Sequence, residues 1–142
     1  MNRSRVLEDG LLNLNKLSTR MRERLTIQYT NEAGVIESGI DVGGLFKDFW
    51  NDLSNLAFQP GYALFCATEG SKNCLYPNPL SKAAHGSDHI ILFEFLGRIL
   101  GKALYEGLTI QPIFAHFFLS FLKGDYNFLH MLADLSTIDP EL

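Results

Sequence analysis

The strongest pattern in the chain is a helical periodicity over residues 88–107. Apolar residues recur there every three or four positions, the spacing of one face of an α-helix. The apolar positions are Leu92, Phe95, Leu96, Ile99, Ala103 and Leu104. The pattern predicts a central helix packed on several sides, with Ser87 or Asp88 as its N-cap and Gly107 ending it in the left-handed conformation.

Two glycines, Gly97 and Gly101, lie one turn apart inside this predicted helix. Glycine lowers helix stability by about 1 kcal/mol relative to alanine, so their presence predicts that another element crosses directly against the backbone. Leucine at either position is then expected to destabilise the fold by about 1–3 kcal/mol through overpacking. A row of charged residues four apart is expected to form an edge that is solvated or packs on another lobe. The row comprises Glu94, Arg98, Lys102 and Glu106.

Four further stretches predict helices. They are residues 4–18, the stretch from an Asp41 N-cap to a stop at Gln59-Pro60-Gly61, residues 112–124, and residues 128–135. The helix of residues 112–124 is apolar nearly all round, so we expect it to be buried. Residues 136–142 predict the start of one more helix, with Asp139 as its cap, and a helix begun so late suggests a truncated domain.

Strand patterns are short. Leu25–Thr30 alternates apolar and polar residues, which is typical of a half-buried strand, and residues 31–34 predict a turn after it. Residues 62–68 and 73–76 predict the two strands of a β-hairpin, and residues 80–87 predict a polar loop. The expected fold class is therefore α+β, predominantly helical, with one small hairpin.

Composition excludes several classes of protein. A hydrophobic content of 46% argues against disorder, and a net charge of −4 gives no indication of nucleic-acid binding. No apolar run reaches the roughly 18 residues that a membrane span requires. Two cysteines cannot form a disulfide framework, which favours a cytoplasmic or nuclear location. Arg20, Arg22 and Arg24 form a small basic cluster, which we interpret as part of a solvated connector.

Two motifs resemble chemical sites but lack required residues. Residues 97–103 resemble a phosphate-binding P-loop, yet they are one residue short between the glycines and have Ala103 where Ser or Thr must bind magnesium. Cys66 and Cys74 lie eight residues apart beside the predicted hairpin, without the knuckle and four ligands of a zinc site. No basic cluster near either cysteine predicts the lowered pKa of a catalytic thiol.

The four histidines do not form a site in the sequence either. His85 and His89 are four residues apart but straddle a helix start, so they need not share a face. His116 is expected to be a hydrogen-bonded core residue, and His130 is expected to face solvent. We therefore predict no catalytic, cofactor-binding or metal-binding residue in this chain, and no cofactor.

Five stretches follow one another in sequence order, at residues 39–49, 75–79, 93–107, 112–124 and 135–142. Together they resemble one family, the HECT-type ubiquitin ligases. Residues 39–49 resemble the helix-entry signature of these ligases, and Leu75-Tyr76-Pro77-Asn78-Pro79 is similar to the segment that follows. Residues 93–107 resemble their most recognisable helix. Residues 112–124 and 135–142, with an Asp-Pro-Glu tripeptide, continue the resemblance in the same order.

The resemblance implies a part of a two-lobed ubiquitin-protein ligase. In this family the N-terminal lobe receives the ubiquitin-loaded conjugating enzyme, and a C-terminal cysteine takes ubiquitin as a thioester before transfer to a substrate lysine. Residues 1–24 would be a leading helix and connector, and residues 25–142 the first part of the N-terminal lobe. The conjugating-enzyme site and the C-terminal lobe would lie beyond, and neither Cys66 nor Cys74 has the catalytic context.

This interpretation carries further expectations. The partners would be a ubiquitin-conjugating enzyme, ubiquitin and protein substrates, with no nucleic acid and no membrane. The chain alone would be an inactive scaffold in the cytoplasm or the nucleus. The alternative is a non-enzymatic helical interaction module that binds ubiquitin or another protein.

Overall fold

The computed structural model of the chain describes residues 1–31, 34–36, 44–69 and 73–138. Its helices are α1 (Val6–Leu14), α2 (Gly44–Ala57), α3 (Ser81–His85), α4 (His89–Tyr105), α5 (His116–Lys123) and α6 (Phe128–Ile138). Strands β1 (Phe65–Ala67) and β2 (Leu75–Pro77) pair antiparallel. These elements confirm the expected α+β, predominantly helical class with a small hairpin. The 3-10 turns are Arg3–Arg5, Asn15–Arg22, Pro60–Tyr62 and Gly86–Asp88.

The chain divides into two compact units. The first unit contains residues 1–57 and 88–110, and therefore α1, α2 and α4. The second unit contains residues 58–87 and 111–142, and therefore the hairpin, α3, α5 and α6. The polypeptide leaves the first unit after α2 and returns to it with α4.

Helix α4 confirms the predicted central helix of the first unit. Asp88 occupies the N-cap position, although its side chain does not cap the first turn, and Gly107 follows the helix at φ +70°. The apolar stripe is buried as predicted except for Leu104, which is 61% exposed. The neighbouring Lys102 is buried instead, so the inward face of the last turn is partly charged.

The close helix contact lies at Gly10 of α1, not at Gly97 and Gly101 of α4. A Cβ added to Gly10 would lie 3.0 Å from Cζ of Phe95 and 3.1 Å from ring atoms of Phe49. At Gly97 and Gly101 the same atom would meet nothing within 4 Å among the described residues. The predicted crossing at those two glycines was therefore wrong. Gly97 follows the buried Phe95 by two residues, and Gly101 follows the buried Ile99 by two residues. Two residues correspond to a rotation of roughly 200° about the helix axis, so both glycines lie on the exposed face.

The other helices of the first unit follow the predictions with changes at their ends. Helical backbone continues past the expected end at residue 18 as the 3-10 segment that ends at Arg22. Helix α2 buries most of its predicted face, but Leu45 is half-buried and Leu56 is 37% exposed. The buried residues of that face are Phe46, Phe49, Trp50 and Leu53. The predicted N-cap Asp41 lies outside the described residues.

Residues 25–30 do not form the predicted strand. Ile27 and Tyr29 are each 1% exposed, so the alternation of burial holds, but the segment forms only isolated bridges at Thr30. Neighbouring extended segments that would pair along its length are lacking in the described part of the chain. The predicted turn is present at its described ends, where the Gly34 N–H donates to the Asn31 carbonyl at 2.9 Å and Gly34 has φ +76°.

In the second unit, residues 80–87 form α3 and part of a 3-10 turn, not the predicted polar loop. The chain enters α3 through Asn78, whose side-chain oxygen accepts from the Leu80 N–H at 2.9 Å and whose carbonyl accepts from Ser81 at 3.0 Å. These local hydrogen bonds start a helical turn that apolar periodicity does not reveal.

Helix α5 begins at His116, four residues later than Pro112 predicted. Residues 113–115 are extended and pair with β2, because the Leu75 N–H donates to the Ile113 carbonyl at 2.7 Å and the Ala115 N–H donates to the Leu75 carbonyl at 2.9 Å. The helix ends at Gly124 as predicted, with φ +76°.

The expectation that this helix is buried was wrong. None of the residues of α5 is buried. Its inward face is only half-covered by the hairpin side of the unit, and its outward face is open. Helix α6 confirms the fourth predicted helix and extends it to Ile138. The predicted cap Asp139 lies outside the described residues. Within the described ranges, no helix combines the length and the apolarity needed to cross a membrane.

Candidate functional site

The two cysteines lie in or beside the hairpin, and none of their described hydrogen bonds involves a cation. Cys66 is in β1 directly opposite Tyr76, and its Sγ lies 3.8 Å from the Tyr76 carbonyl oxygen. A hydrogen bond that the Tyr76 phenol donates to the Cys66 side chain, together with burial, raises the pKa of Tyr76 to about 12, so the phenol stays neutral at physiological pH. The nearby Glu69 acts in the same direction. A reactive thiol needs an adjacent cation or helix N-terminus, and this hairpin offers a neutral phenol and a carboxylate.

Cys74 is held by the backbone just before β2. Its N–H donates to Thr68 Oγ1 at 3.1 Å, and its carbonyl accepts from the Thr68 N–H at 2.8 Å. Both cysteines are free and half-buried.

The P-loop-like residues and the histidines do not form a ligand site. Residues 97–103 are continuous α-helix within α4, so their N–H groups point along the helix and not into a phosphate cradle. His85 belongs to the second unit, where its Nε2 lies 2.6 Å from the Tyr62 carbonyl oxygen, whereas His89 belongs to the first. In the part of the chain that the structure describes, no group of three or more His, Cys, Asp or Glu residues could hold a metal ion.

His116 differs from its predicted place in a core. Its side chain is 73% exposed, and Nδ1 lies 3.2 Å from a carboxylate oxygen of Asp134, which links the start of α5 to α6. The apolar residues around His116 suggested burial, but they belong to a helix that is open on one side. His130 faces solvent as predicted.

Behind the hairpin lies an aromatic cluster, which we define as Phe58, Phe65, Phe114 and Phe118. Ring centroids within it are 4.9 to 6.4 Å apart, and several pairs have the edge-to-face arrangement that aromatic rings prefer. Phe114 joins the cluster because its backbone pairs with β2. The cluster therefore fixes the hairpin and the start of α5 as one rigid part of the second unit.

The outer side of α5 and α6 exposes an apolar surface. Its residues are between 40% and 72% exposed, and they alternate with few charges. We call them the apolar patch: Leu119, Phe121, Leu122, Tyr126, Phe128, Leu129 and Leu132. A concentration of exposed apolar side chains on two neighbouring helices is typical of an interaction surface and not of a catalytic one. In the described part of the second unit, the arrangement thus offers a contact surface formed by α5 and α6.

Comparison with known proteins gives the family. The sequence profile of the HECT-domain (ubiquitin-transferase) family matches residues 51–142. The chain is 43% identical over 141 residues to the E3 ubiquitin-protein ligase UPL6 of Arabidopsis thaliana, covering 99% of this chain and 13% of that protein. It is 40% identical over 142 residues to the ubiquitin-protein ligase E3B of Homo sapiens, again covering 13% of that protein. The chain belongs to the HECT-domain family, as the ordered motifs indicated.

The same relation extends to fungi. The E3 ubiquitin-protein ligase HUL5 of Saccharomyces cerevisiae is 34% identical over 144 residues, covering 15% of its own length. The chain therefore spans about 13–15% of the length of these relatives. Their similarity reaches the whole of this chain, including the residues before position 51.

Sequence reasoning missed two features of the first unit. The sequence patterns do not indicate the close packing at Gly10, and they predict that the charged row of α4 is an edge. Lys102 of that row is 4% exposed and donates to the Glu23 carbonyl at 2.8 Å. A buried lysine has no signal in a local pattern, because its partner lies 79 residues away in the sequence.

Proposed function

We propose that this chain is the scaffold part of the N-terminal lobe of a HECT-type ubiquitin-protein ligase. The whole protein transfers ubiquitin from a conjugating enzyme to a cysteine thioester and then to substrate lysines, while this part supplies no nucleophile. Residues 1–24 form the leading helix and connector of the lobe, and residues 25–142 its first part. The partners are a ubiquitin-conjugating enzyme, ubiquitin and protein substrates, in the cytoplasm or nucleus.

The observation that carries the proposal is the membership of the chain in the HECT-domain family, over residues 51–142 and in relatives that are ligases. The geometry of Cys66 supports the absence of a nucleophile from this part, because its Sγ lies beside the Tyr76 carbonyl oxygen in the hairpin and no described ion pair or hydrogen bond joins it to a cation. A non-enzymatic interaction module is not favoured, since the similar proteins that cover this whole chain are named as ubiquitin-protein ligases.

A chimaeric ligase tests the proposal. Residues 1–142 replace the matching segment of the human ligase E3B, and ubiquitin transfer is measured with activating enzyme, conjugating enzyme and ubiquitin. We expect transfer within about tenfold of the parent enzyme, because a scaffold that keeps its packing changes the transition-state free energy little. A chimaera that folds cooperatively but transfers no ubiquitin would contradict the proposal.

Two variants of the chimaera serve as matched controls. Phe95→Asp places a charge at a position that is fully buried in the first unit, and it is expected to abolish both the cooperative melt and the transfer. Lys82→Ala changes an exposed residue of α3 and is expected to leave both unchanged. Together they show whether transfer depends on the folded segment that this chain provides.

A further inference from the structure

The two cations of the charged row on α4 bind the backbone of one segment of the chain. Nη1 of Arg98 donates to the Asn15 carbonyl at 2.9 Å and also to the Asn15 side-chain oxygen. Nζ of Lys102, one turn further along, donates to the Glu23 carbonyl at 2.8 Å. The two acceptors are the first and last residues of a segment that we call the strap, residues 15–23. The strap is thus attached to α4 at both ends.

Each cation is itself held by a glutamate of the same helix. Arg98 pairs with Glu94 one turn before it, and Lys102 pairs with Glu106 one turn after it. The Lys102 side chain is only 2% exposed, so its bond to the Glu23 carbonyl is shielded from water. Hydrogen bonds from a charged donor are roughly twice as strong as neutral ones, and shielding strengthens them further.

The strap also packs against α1 and α4, but few of its described side chains are buried. Its backbone is largely a 3-10 helix, whose hydrogen-bond geometry is poorer than that of an α-helix. Among its described side chains only Met21 is buried, and Arg20 and Arg22 are exposed. Segments with few buried apolar contacts open at lower free energy than the core around them. The polar bonds at its two ends therefore contribute directly to the stability of the closed strap.

We propose that Arg98 and Lys102 form a two-point latch on the strap. The strap opens locally, and the two cations shift its opening equilibrium toward the closed state. Opening the strap exposes residues 15–23 and separates this segment from α4. The chain that joins α1 to residues 24–31 is then no longer held against the helix. It does not require the core of the first unit, built by α2 and α4, to unfold. The proposal does not depend on the proposed ligase function.

Native-state cleavage by trypsin tests the latch, because Lys16, Arg20, Arg22 and Arg24 place four cleavage sites in or beside the strap. In the 142-residue chain, Lys102→Met and Arg98→Met each remove one cation and keep an apolar stem. We expect cleavage at these sites to accelerate at least about tenfold, since losing a hydrogen bond to a charged group shifts an opening equilibrium by that factor or more. Fluorescence of Trp50, which is 1% exposed in α2, is expected to stay native.

Lys82→Met, at an exposed residue of the second unit, is the matched control and should leave the cleavage rate unchanged. If Lys102→Met does not fold, Arg98→Met carries the test, since that side chain is one-third exposed. Two outcomes overturn the latch. One is an unchanged cleavage rate in a folded variant, and the other is cleavage that accelerates only in step with loss of the Trp50 signal.

Discussion

The packing of α1 against α2 and α4 gives the sharpest stability prediction, made by comparing alanine at Gly10 with alanine at Gly97. Both glycines lie inside α-helices, so alanine gains the same intrinsic helix stability of about 1 kcal/mol at each. At Gly97 the added methyl group meets nothing within 4 Å among the described residues. We therefore expect Gly97→Ala to stabilise the chain by about 0.5–1 kcal/mol.

At Gly10 the same methyl group meets two rings that cannot move freely. It would lie 3.0 to 3.1 Å from atoms of Phe95 and Phe49, and both of these side chains are fully buried. Overpacking of this kind destabilises by about 1–3 kcal/mol, which offsets or exceeds the gain in helix stability. We expect Gly10→Ala to be less stable than Gly97→Ala by about 1–3 kcal/mol, and Gly10→Leu to be less stable still.

Urea unfolding followed by Trp50 fluorescence measures this difference, because Trp50 is buried beside Phe49 and is the only tryptophan. Gly101→Ala, on the same exposed face as Gly97, is the internal control and should match Gly97→Ala. If Gly10→Ala stabilises as much as Gly97→Ala, the rings yield and α1 does not pack tightly at Gly10.

Three further predictions concern single side chains. Ser54→Ala should stabilise the chain by about 1 kcal/mol in the same urea assay, because Ser54 Oγ is buried without a hydrogen-bond partner in the described part of the chain; a destabilised variant would mean that the hydroxyl is bonded. Burial, and then the nearby Asp52 carboxylate, raise the pKa of Tyr29 above its ordinary value of about 10. The neutral phenol of Tyr29 therefore contributes its full stabilisation below pH 10, and this stabilisation is lost as the pH rises above 10. Tyr29→Phe should therefore flatten the alkaline decline of the melting temperature. Tyr126→Phe, at a 65% exposed position, is the control and should leave that decline unchanged. Lysine at both Leu122 and Leu129 of the apolar patch should lower self-association measured by light scattering; an unchanged apparent mass would show that the patch does not mediate it.

The elements that could be predicted from the sequence are those with local signals. The stripe of α4, the stop after α2 and the two runs of the hairpin each lie within one short window of sequence, so periodicity and turn residues reveal them. The family motifs are local in the same sense.

The features that could not be predicted depend on residues far apart in the sequence. Pro112 predicted a helix start, but pairing of Leu75 with residues 113–115 delays that start to His116. The close contact at Gly10 of α1 exists only because the fold places Phe95 of α4 against it. Burial of Lys102 likewise depends on the strap, which no window around α4 contains. Such contacts form only when distant segments of the chain come together in the folded unit. The residue pattern of a single helix therefore cannot predict them.

The central claim is that this chain is a HECT-family scaffold without the nucleophile. A reducible ubiquitin adduct, measured on a non-reducing gel with activating enzyme, conjugating enzyme and ubiquitin, tests it most directly. We predict no adduct on the 142-residue chain. In the E3B chimaera we predict an adduct that persists when Cys66 and Cys74 are both changed to serine. An adduct on the isolated chain that one of these two substitutions removes would contradict the claim.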